Sequence, residues 1–396
     1  MQLIPEMGAG GAEQAVIDVT KGLIAQGAHA FIITKGGARC KELEQLGATC
    51  VSLNINSKNP WNLWRNSHKI SSIIAQHDIH LIHARSRAPA WSGLWASRHC
   101  HIPFLTTYHG IYSEKSWLKK YYNSVMVRGN AVIANSHYTA ALIQKRYGAL
   151  AKQIITIARG IDLSHFHPDE VTKARIKSIR QQWGVTSKDK VILLPGRLTS
   201  WKGHQVAIEA YALLPETLKQ QYKLIFMGDA QGRLDYVKLL QDRLYQLNLE
   251  KQILFAPHSQ DMPAAFMASD IVVNCASGKP EAFGRVAVEA QAMGKAMIVS
   301  SLGPTKETVL APPHCDALER TGWHFPENDA AALADAILEA ASLSKDAQKA
   351  LGQRARNHIL QHFTTENMVQ QTLNSYVSLL SINHPACCAS LAVTPS

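Results

Sequence analysis

Short apolar runs alternate with longer helical patterns along almost the whole chain. The runs are rich in β-branched residues and are four to eight residues long, which is typical of strands buried on both faces of a parallel sheet. The segments between them carry apolar residues at i, i+3 and i+4, the spacing of a helix with one packed face. The predicted strands lie within residues 28–34, 50–54, 79–83, 103–110, 131–136, 154–162, 191–197, 222–229, 252–257 and 270–274. The pattern predicts an α/β fold of repeated βαβ units.

The length of the chain predicts two domains. At 396 residues it exceeds what a single hydrophobic core usually supports. We expect a first domain over residues 1–165 and a second over 166–363, with a polar segment near the start of the second. An amphipathic helix is predicted over 364–382, and residues 383–396, which show no periodicity, are predicted to be disordered.

Composition narrows the class of protein. Hydrophobic residues make up 46% and charged residues 18% of the chain, as in an ordinary globular protein. We find no run of 18 apolar residues and no leader pattern, and the seven cysteines are scattered without a Cys-x-x-Cys pair. These features predict a cytoplasmic protein without a disulfide framework or zinc site. The first strand looks short, which suggests that the recorded start lies a few residues late.

Charge is concentrated in the first half. Residues 1–165 contain 18 basic and 8 acidic residues, a net charge of +10, and the remaining 23 basic and 22 acidic residues give only +1. This asymmetry predicts an anionic partner, which could be a membrane surface, a phosphorylated acceptor or nucleic acid, although a basic surface without a partner is the alternative. Residues 115–128 mix aromatic and basic side chains. They suit a membrane interface or a lipid-linked acceptor, and equally a helix that packs its aromatic side chains into the core.

The first loop is rich in glycine but does not fit a dinucleotide site. Gly8, Gly10 and Gly11 follow the first strand, and Glu13 stands where the dinucleotide fingerprint requires its third glycine. The second strand ends in Lys35-Gly36-Gly37, so no carboxylate is placed to bind a ribose. These departures argue against a nicotinamide cofactor.

The segment from residue 278 to 294 carries the clearest candidate chemistry. Glu281 lies in a loop after a predicted strand, and Glu289 lies in the following helix close to its packed face, where a carboxylate is costly unless paired. Between them, the free backbone N–H groups of Phe283, Gly284 and Arg285 form a helix N-terminus that can bind an anion. Two carboxylates beside an anion site suit a ligand with hydroxyls and phosphates, such as a nucleotide sugar.

This stretch resembles the Glu-x7-Glu signature of family 4 glycosyltransferases, which are retaining enzymes of the GT-B architecture. The resemblance implies two Rossmann-like domains that face each other across a cleft, with a C-terminal helix returning to the first domain. The opening Gly-Gly-Ala-Glu loop resembles that of the family, in which the amides of Gly10 and Gly11 approach the donor diphosphate and the acceptor. Residues 82–91 and 106–110 most resemble members that build bacterial lipopolysaccharide or surface polysaccharide.

The resemblance also assigns roles to single residues. His109, at the end of a predicted strand, is expected to contact the donor sugar and its phosphates. Arg197 and Lys202 are assigned to the donor diphosphate; they stand five residues apart across a strand-to-helix turn, so both can aim at one point. Gly228 lies in a turn where the nucleotide is expected. Two further assignments complete the set: Glu281 to the sugar hydroxyls and Glu289 to the ribose.

The function expected is retaining transfer of a sugar from a UDP- or GDP-linked donor to a hydroxyl of a lipid-linked glycan. No Asp-x-Asp motif occurs, so we expect no metal site and no cofactor besides the nucleotide-sugar substrate. The alternatives are a transferase with a soluble acceptor, a sugar-nucleotide epimerase, and a basic nucleic-acid-binding protein. The last lacks a recognised motif, and we expect no nucleic-acid partner. The basic first domain predicts peripheral contact with the cytoplasmic face of an anionic inner membrane.

Overall fold

The computed structural model describes residues 1–8 and 10–383, which form two compact units. One comprises Met1–Gly160 and the chain from Thr365 onward, and the other comprises Ile161–Thr364. The boundary thus lies at Gly160, five residues before the predicted one, because the Ile161 N–H donates to the Phe363 carbonyl at 2.9 Å and joins the second unit. The hypothesis of a disordered segment over 383–396 falls almost wholly outside the described residues.

Each unit contains a parallel sheet built mainly from the predicted apolar runs, although the two strands over residues 296–300 and 322–325 of the second unit were not predicted. The first-sheet strands are β1 (Gln2–Leu3), β2 (Phe31–Thr34), β3 (Thr49–Ser52), β4 (Ile82–Ala84), β5 (Phe104–Tyr108), β6 (Ala131–Ala134) and β7 (Ile154–Thr156). The second-sheet strands are β8 (Lys190–Pro195), β9 (Tyr222–Met227), β10 (Ile253–Ala256), β11 (Ile271–Asn274), β12 (Ala296–Ser300) and β13 (Gly322–Phe325). The first sheet has the order β3-β2-β1-β4-β5-β6-β7, and the second has the order β10-β9-β8-β11-β12-β13.

Helices connect the strands, as parallel pairing requires. In the first unit they are α1 (Gly11–Ala25), α2 (Cys40–Gln45), α3 (Pro60–His77), α4 (Arg87–Cys100), α5 (Trp117–Asn123) and α6 (His137–Tyr147). In the second unit they are α7 (Lys173–Gln182), α8 (His204–Leu213), α9 (Glu216–Lys219), α10 (Leu234–Gln246), α11 (Met262–Met267), α12 (Arg285–Ala292), α13 (Thr305–Thr308), α14 (Ala330–Ser342) and α15 (Lys345–His362). The chain then forms α16 (Thr365–Asn383) in the first unit.

The return of α16 to the first unit agrees with the expected architecture. Leu373 and Tyr376 are buried against α1 and against apolar residues of the first sheet. A Cβ added to Gly22 of α1 would collide with the Val369 side chain, so the two helices approach closely. The Tyr376 hydroxyl also lies 2.6 Å from Nδ1 of His83 inside the sheet. Apolar contact and a buried hydrogen bond thus hold the last helix to the first unit.

In each sheet, the order of the strands changes direction at one point. Open α/β sheets bind ligands at such a point, at the carboxyl ends of the strands. The reversal lies between β1 and β4 in the first sheet and between β8 and β11 in the second. Among residues 1–8 and 10–383, no helix combines the length and apolar character needed to cross a membrane.

The aromatic and basic segment at 115–128 divides into two parts. Its first part is α5, in which Trp117 is 76% and Tyr121 54% exposed. Its second part is a short 3-10 turn over Ser124–Val127 that is buried in the core of the first unit. Trp117 and Tyr121 are therefore exposed rather than packed into the core, and contact of this segment with a membrane interface or a lipid-linked acceptor remains a prediction.

Candidate functional site

The predicted cations and carboxylate of the second unit meet at its strand-order reversal. Arg197 and Lys202 follow β8, and Glu281 follows β11, the strand next to β8 in the sheet. Because the carboxyl ends of parallel neighbours lie at one edge, residues 79 positions apart in sequence come into contact. The Lys202 ammonium donates to the Glu281 carboxylate. This edge of the sheet is the ligand-binding edge of an open α/β fold.

The Lys202–Glu281 ion pair is almost removed from solvent. The two side chains are 11% and 14% exposed. Nζ of Lys202 also lies 4.7 Å from the centre of the Trp201 ring, within the range of a cation–π interaction. The pair therefore has little freedom to move, and it directs a fixed positive charge and a fixed hydrogen-bond acceptor to one place.

Glycines let the backbone loops of this site approach each other. Gly228 follows β9, and an added Cβ would collide with the carbonyl oxygen of Gly196 after β8. Gly203 has φ of +73°, and its Cβ would collide with the Cys275 carbonyl. A side chain at either position would push the β8 loop away from its neighbours.

A cavity of about 510 Å³ opens beside these loops. It contains three of the predicted residues that carry charge and one predicted glycine. Its lining consists of Gly196, Arg197, Trp201, Lys202, Gly228, Asp229, Gln231, His258 and Glu281. No sequence pattern indicated Asp229, Gln231 or His258 as candidates, although each lies at or within two residues of the end of a predicted strand. A volume of this size with two cations and acceptor oxygens suits a polar, anionic ligand.

The start of α12 lies outside the lining of this cavity. Gly284 precedes the helix with φ of +86°, and no side chain in the described part of the chain caps the N-terminus there. Phe283 is 5% exposed, and its ring contacts that of Phe363. The side chain of Phe283 is thus part of the core, so any contact it makes to a ligand would come through its backbone.

Glu289 is buried in α12 and is paired, as its position requires. It is 8% exposed and accepts a hydrogen bond from Arg285, one helical turn earlier, at 3.0 Å. Burial raises the pKa of its carboxyl, Arg285 acts in the opposite direction, and the nearby Glu281 raises the pKa further. A buried carboxylate with one partner keeps acceptor capacity for another donor.

In the first unit, Gly10 and Gly11 begin α1 after the shortest strand of its sheet. Gly10 precedes the helix with an extended backbone, and a Cβ added there would meet the carboxylate of Glu13. No side chain of the described residues caps the helix at Gly10. The glycines therefore leave the first N–H groups of α1 accessible from the carboxyl edge of the sheet.

His109 and Asn135 lie side by side at the same edge. Tyr108 and Ala134 are paired in neighbouring strands, and His109 and Asn135 follow them directly. The Arg159 guanidinium donates to Nδ1 of His109 at 2.6 Å. Burial holds the pKa of His109 well below its usual value, with Arg159 and Arg85 lowering it further. The neutral ring therefore carries its proton on Nε2, a buried donor that has no partner within the described chain.

Asn135 was not selected as a candidate from the sequence. It is 1% exposed, and neither its Oδ1 nor its Nδ2 has a hydrogen-bond partner within the described chain. Buried polar atoms are normally paired, so an orphaned amide requires an explanation. With the Nε2 proton of His109, the edge offers two donors and one acceptor, which match hydroxyl groups that both accept and donate.

Comparison with known proteins decides the family. Residues 9–165 match the family model Glycosyltransferase Family 4, and residues 175–358 match Glycosyl transferases group 1. A solved glycosyltransferase from Rickettsia africae is 32% identical over 96% of this chain and 98% of that one, with a TM-score of 0.84. The chain belongs to glycosyltransferase family 4. The GT-B architecture and the membership of a family of retaining transferases, both expected from the Glu-x7-Glu stretch, are confirmed.

Two further relatives are similar to this family 4 chain. The Anabaena protein HepE, solved in complex with UDP-glucose, is 26% identical over 95% of this chain and 98% of that one, with a TM-score of 0.77. The alpha-monoglucosyldiacylglycerol synthase of Streptococcus pneumoniae is 22% identical over 81% of this chain and 71% of the relative. The first curated relatives are D-inositol 3-phosphate glycosyltransferases, and the chain spans 44% to 60% of their length.

Proposed function

We propose that the protein transfers a sugar, with retention of configuration, from a nucleotide-sugar donor to a hydroxyl of a lipid-linked glycan. The observation that carries the donor half of this proposal is the cavity at the β8–β11 reversal, in which Arg197 and Lys202 stand beside Glu281. Two cations suit a diphosphate, and a fixed carboxylate suits the hydroxyls of a sugar.

The chemical step breaks the bond between the anomeric carbon and the diphosphate oxygen, whose electron pair leaves with the nucleoside diphosphate. The acceptor oxygen forms the new bond from the same face, and its proton passes to the leaving phosphate oxygen. Arg197 and Lys202 stabilise the charge that develops on the diphosphate. We propose that they replace the divalent cation of metal-dependent transferases, so that the protein needs no metal and no further cofactor.

The carboxylates orient the donor rather than act as acid and base. Glu281 accepts from sugar hydroxyls while its contact with Lys202 holds both side chains in place. Glu289, buried and held on one side by Arg285, accepts from the ribose. His109 donates through its Nε2 proton to the donor sugar. The backbone N–H groups at the start of α12 bind phosphate oxygens.

We propose that the nucleoside diphosphate of the donor is UDP, with GDP as the second candidate. The support is similarity to HepE, whose structure contains UDP-glucose. The lining residues Gln231 and His258 follow β9 and β10, and we propose that they contact the base of the donor nucleotide. A GDP donor would present a purine with an additional amino group to the same residues.

For the acceptor we propose a lipopolysaccharide core or surface-polysaccharide precursor, reached at the cytoplasmic face of an anionic inner membrane. The basic first half of the chain and the relative that synthesises a glucosyldiacylglycerol support a lipid-linked acceptor. The D-inositol 3-phosphate glycosyltransferases favour instead a soluble phosphorylated acceptor, which is the second candidate.

The deciding experiment measures donor binding and slow donor hydrolysis without any acceptor. Purified protein is incubated with UDP-, GDP- and ADP-linked sugars, with and without chelator, and thermal stability and released nucleotide are recorded. We expect stabilisation and hydrolysis with one nucleotide series, unchanged by chelator. A response that requires added metal would contradict the proposed role of Arg197 and Lys202, and no response to any donor would contradict the proposed activity.

Variants locate the activity in the cavity. Lys202→Ala and Glu281→Ala are expected to abolish transfer while circular dichroism shows an intact fold. Lys345→Ala, an exposed lysine at the start of α15, serves as the matched control and is expected to keep full activity. Turnover near that of the wild type in either cavity variant would remove these residues from the site. Activity with vesicle-bound glycolipid but not with inositol phosphate would favour the lipid-linked acceptor.

A further inference from the structure

Two tryptophans are exposed on helix α3, although tryptophan is uncommon on protein surfaces that face only water. Trp61 is 62% and Trp64 is 47% exposed. Their rings stack on each other with centres 5.0 Å apart, so they form one apolar projection. Asn59 caps the helix by accepting from the Trp61 N–H at 2.9 Å, which fixes the backbone beneath the pair. Contiguous exposed apolar surface of this kind marks an interaction site.

Helix α5 exposes a second set of large apolar side chains. Trp117, Leu118 and Tyr121 are 76%, 60% and 54% exposed. Lys119 and Lys120 stand between them and are exposed as well. A short helix with tryptophan and leucine next to lysines has the composition of an element that lies in a membrane interface.

Helix α4 connects the two exposed sets. On one side, the Ser92 hydroxyl donates to the Leu63 carbonyl, which lies between the two tryptophans of α3. On the other side, the Trp91 ring stacks on Tyr121 with centres 5.6 Å apart, and its Nε1 donates to the Tyr122 carbonyl. Both exposed sets therefore flank α4, and we refer to them together as the α3–α5 surface. It consists of Trp61, Trp64, Arg65, Trp117, Leu118, Lys119, Lys120 and Tyr121.

The sequence around this surface is almost free of acidic residues. From position 45 to position 161 the chain contains fourteen lysines and arginines and only two acidic residues, Asp78 and Glu114. Glu114 has a 14% exposed side chain, forms an ion pair with Arg146 and accepts from the Tyr147 hydroxyl, so its charge is already compensated. No carboxylate belongs to α3 or α5. The charge and the exposed rings of this surface therefore favour a partner that is anionic and that accepts aromatic side chains.

We propose that the α3–α5 surface binds an anionic lipid bilayer, with the tryptophans at the level of the headgroups and the lysines against lipid phosphates. A bilayer meets both requirements, because it offers a negative surface over an apolar interior. This inference rests on the proposed function, because it specifies the surface through which the protein would reach a lipid-linked acceptor. The surface shares no residue with the nucleotide cavity, so binding to lipid can be measured without donor or acceptor.

The test is sedimentation of the full chain with vesicles of phosphatidylcholine alone or with one third phosphatidylglycerol. We expect binding to the anionic vesicles only, a blue shift of tryptophan fluorescence, and weaker binding as salt is raised. Lys119→Ala with Lys120→Ala should reduce the partition coefficient about 25-fold, since each lysine near an anionic surface contributes about fivefold. Trp61→Ala with Trp64→Ala should reduce it by at least about tenfold.

Matched controls lie in the second unit. Tyr245→Ala removes a 75% exposed tyrosine, and Lys345→Ala with Lys349→Ala removes two exposed lysines of α15. Both controls should bind vesicles like the wild type. Equal losses of vesicle binding in the control and α3–α5 variants would overturn the proposal, as would no binding to anionic vesicles at low salt. Binding to a soluble polyanion but not to anionic vesicles would also overturn it. Donor hydrolysis without vesicles tests the proposed activity separately, so a failure of either can be told from a failure of the other.

Discussion

Replacing Asn135 with leucine tests whether its orphaned amide is a binding group. Leucine has the same branched outline, so Asn135→Leu removes two buried polar atoms with little change in volume. Each buried group without a partner costs about 1–3 kcal/mol of stability. We therefore expect the free energy of unfolding to rise by about 2 kcal/mol, measured by urea denaturation followed by tryptophan fluorescence.

Function should change in the opposite direction. If the amide binds a sugar hydroxyl, its loss leaves that hydroxyl unpaired inside the site, which corresponds to roughly a tenfold fall in affinity or in kcat/KM. Donor hydrolysis and transfer by the same preparation measure this fall. A more stable protein that works less well is the expected signature of a residue kept for binding.

Asn123 provides the control for this substitution. It is also 1% exposed, but its amide is satisfied, because it donates to the Ser113 carbonyl at 3.0 Å and accepts from Arg87 at 2.8 Å. Asn123→Leu should therefore destabilise the protein by about 1–3 kcal/mol. If Asn135→Leu is destabilised as much as Asn123→Leu, the amide of Asn135 is satisfied in solution and the inferred hydroxyl site at this edge is wrong.

Three further predictions concern the second unit. Lys202→Met and Glu281→Gln should each lower the free energy of unfolding by about 1–3 kcal/mol, because each leaves the charge of the other residue poorly solvated. The double variant should regain most of that stability but no activity. Additive losses of stability in the double variant would contradict the pairing of Lys202 with Glu281. Glu289→Gln should be more stable than the wild type at pH 7.5, and the difference should vanish as the pH falls toward 4.5. The reason is that ionisation of a buried carboxyl with a raised pKa destabilises the folded protein. Urea titrations at several pH values test this, and a difference in stability that does not depend on pH would contradict it. Gly228→Ala should lower the free energy of unfolding by about 2 kcal/mol, as overpacked sites do, because the added Cβ collides with the neighbouring loop. It should also remove the stabilisation of the protein by nucleotide. A nucleotide-dependent thermal shift equal to that of the wild type would contradict this prediction.

The sequence predicts most of the strands, though not β12 and β13, because parallel sheets bury both faces of each strand. The run at 270–274 becomes β11 and the run at 222–229 contains β9, since only a strand covered on both sides requires such continuous apolar character. The ends are less accurate. Residues 79–81 were assigned to a strand, but β4 begins only at Ile82, because pairing with the neighbouring strands sets its start rather than apolar character.

The candidate residues of the second unit could be located from the sequence, but their pairing could not. Arg197, Lys202 and Glu281 each stand just after a predicted strand, which places them at one edge of whatever sheet forms. The contact between Lys202 and Glu281 depends on β8 lying next to β11, although two strands separate them in the sequence. Strand order is a property of the whole domain, so no local pattern contains it.

Asn135 and the tryptophans of α3 were missed for a related reason. In the sequence, Asn135 is an ordinary polar residue before the cap of a helix, and Trp61 and Trp64 fit a helix that buries its aromatic residues. What distinguishes them is a mismatch with their surroundings: a fully buried amide without a hydrogen-bond partner among residues 1–8 and 10–383, and large apolar rings exposed to water. Burial is decided by the assembled fold, so only the structure reveals these mismatches. A residue that departs from the rule for its type in the folded protein, rather than one that stands out in the sequence, is therefore where an unassigned ligand or partner should be sought.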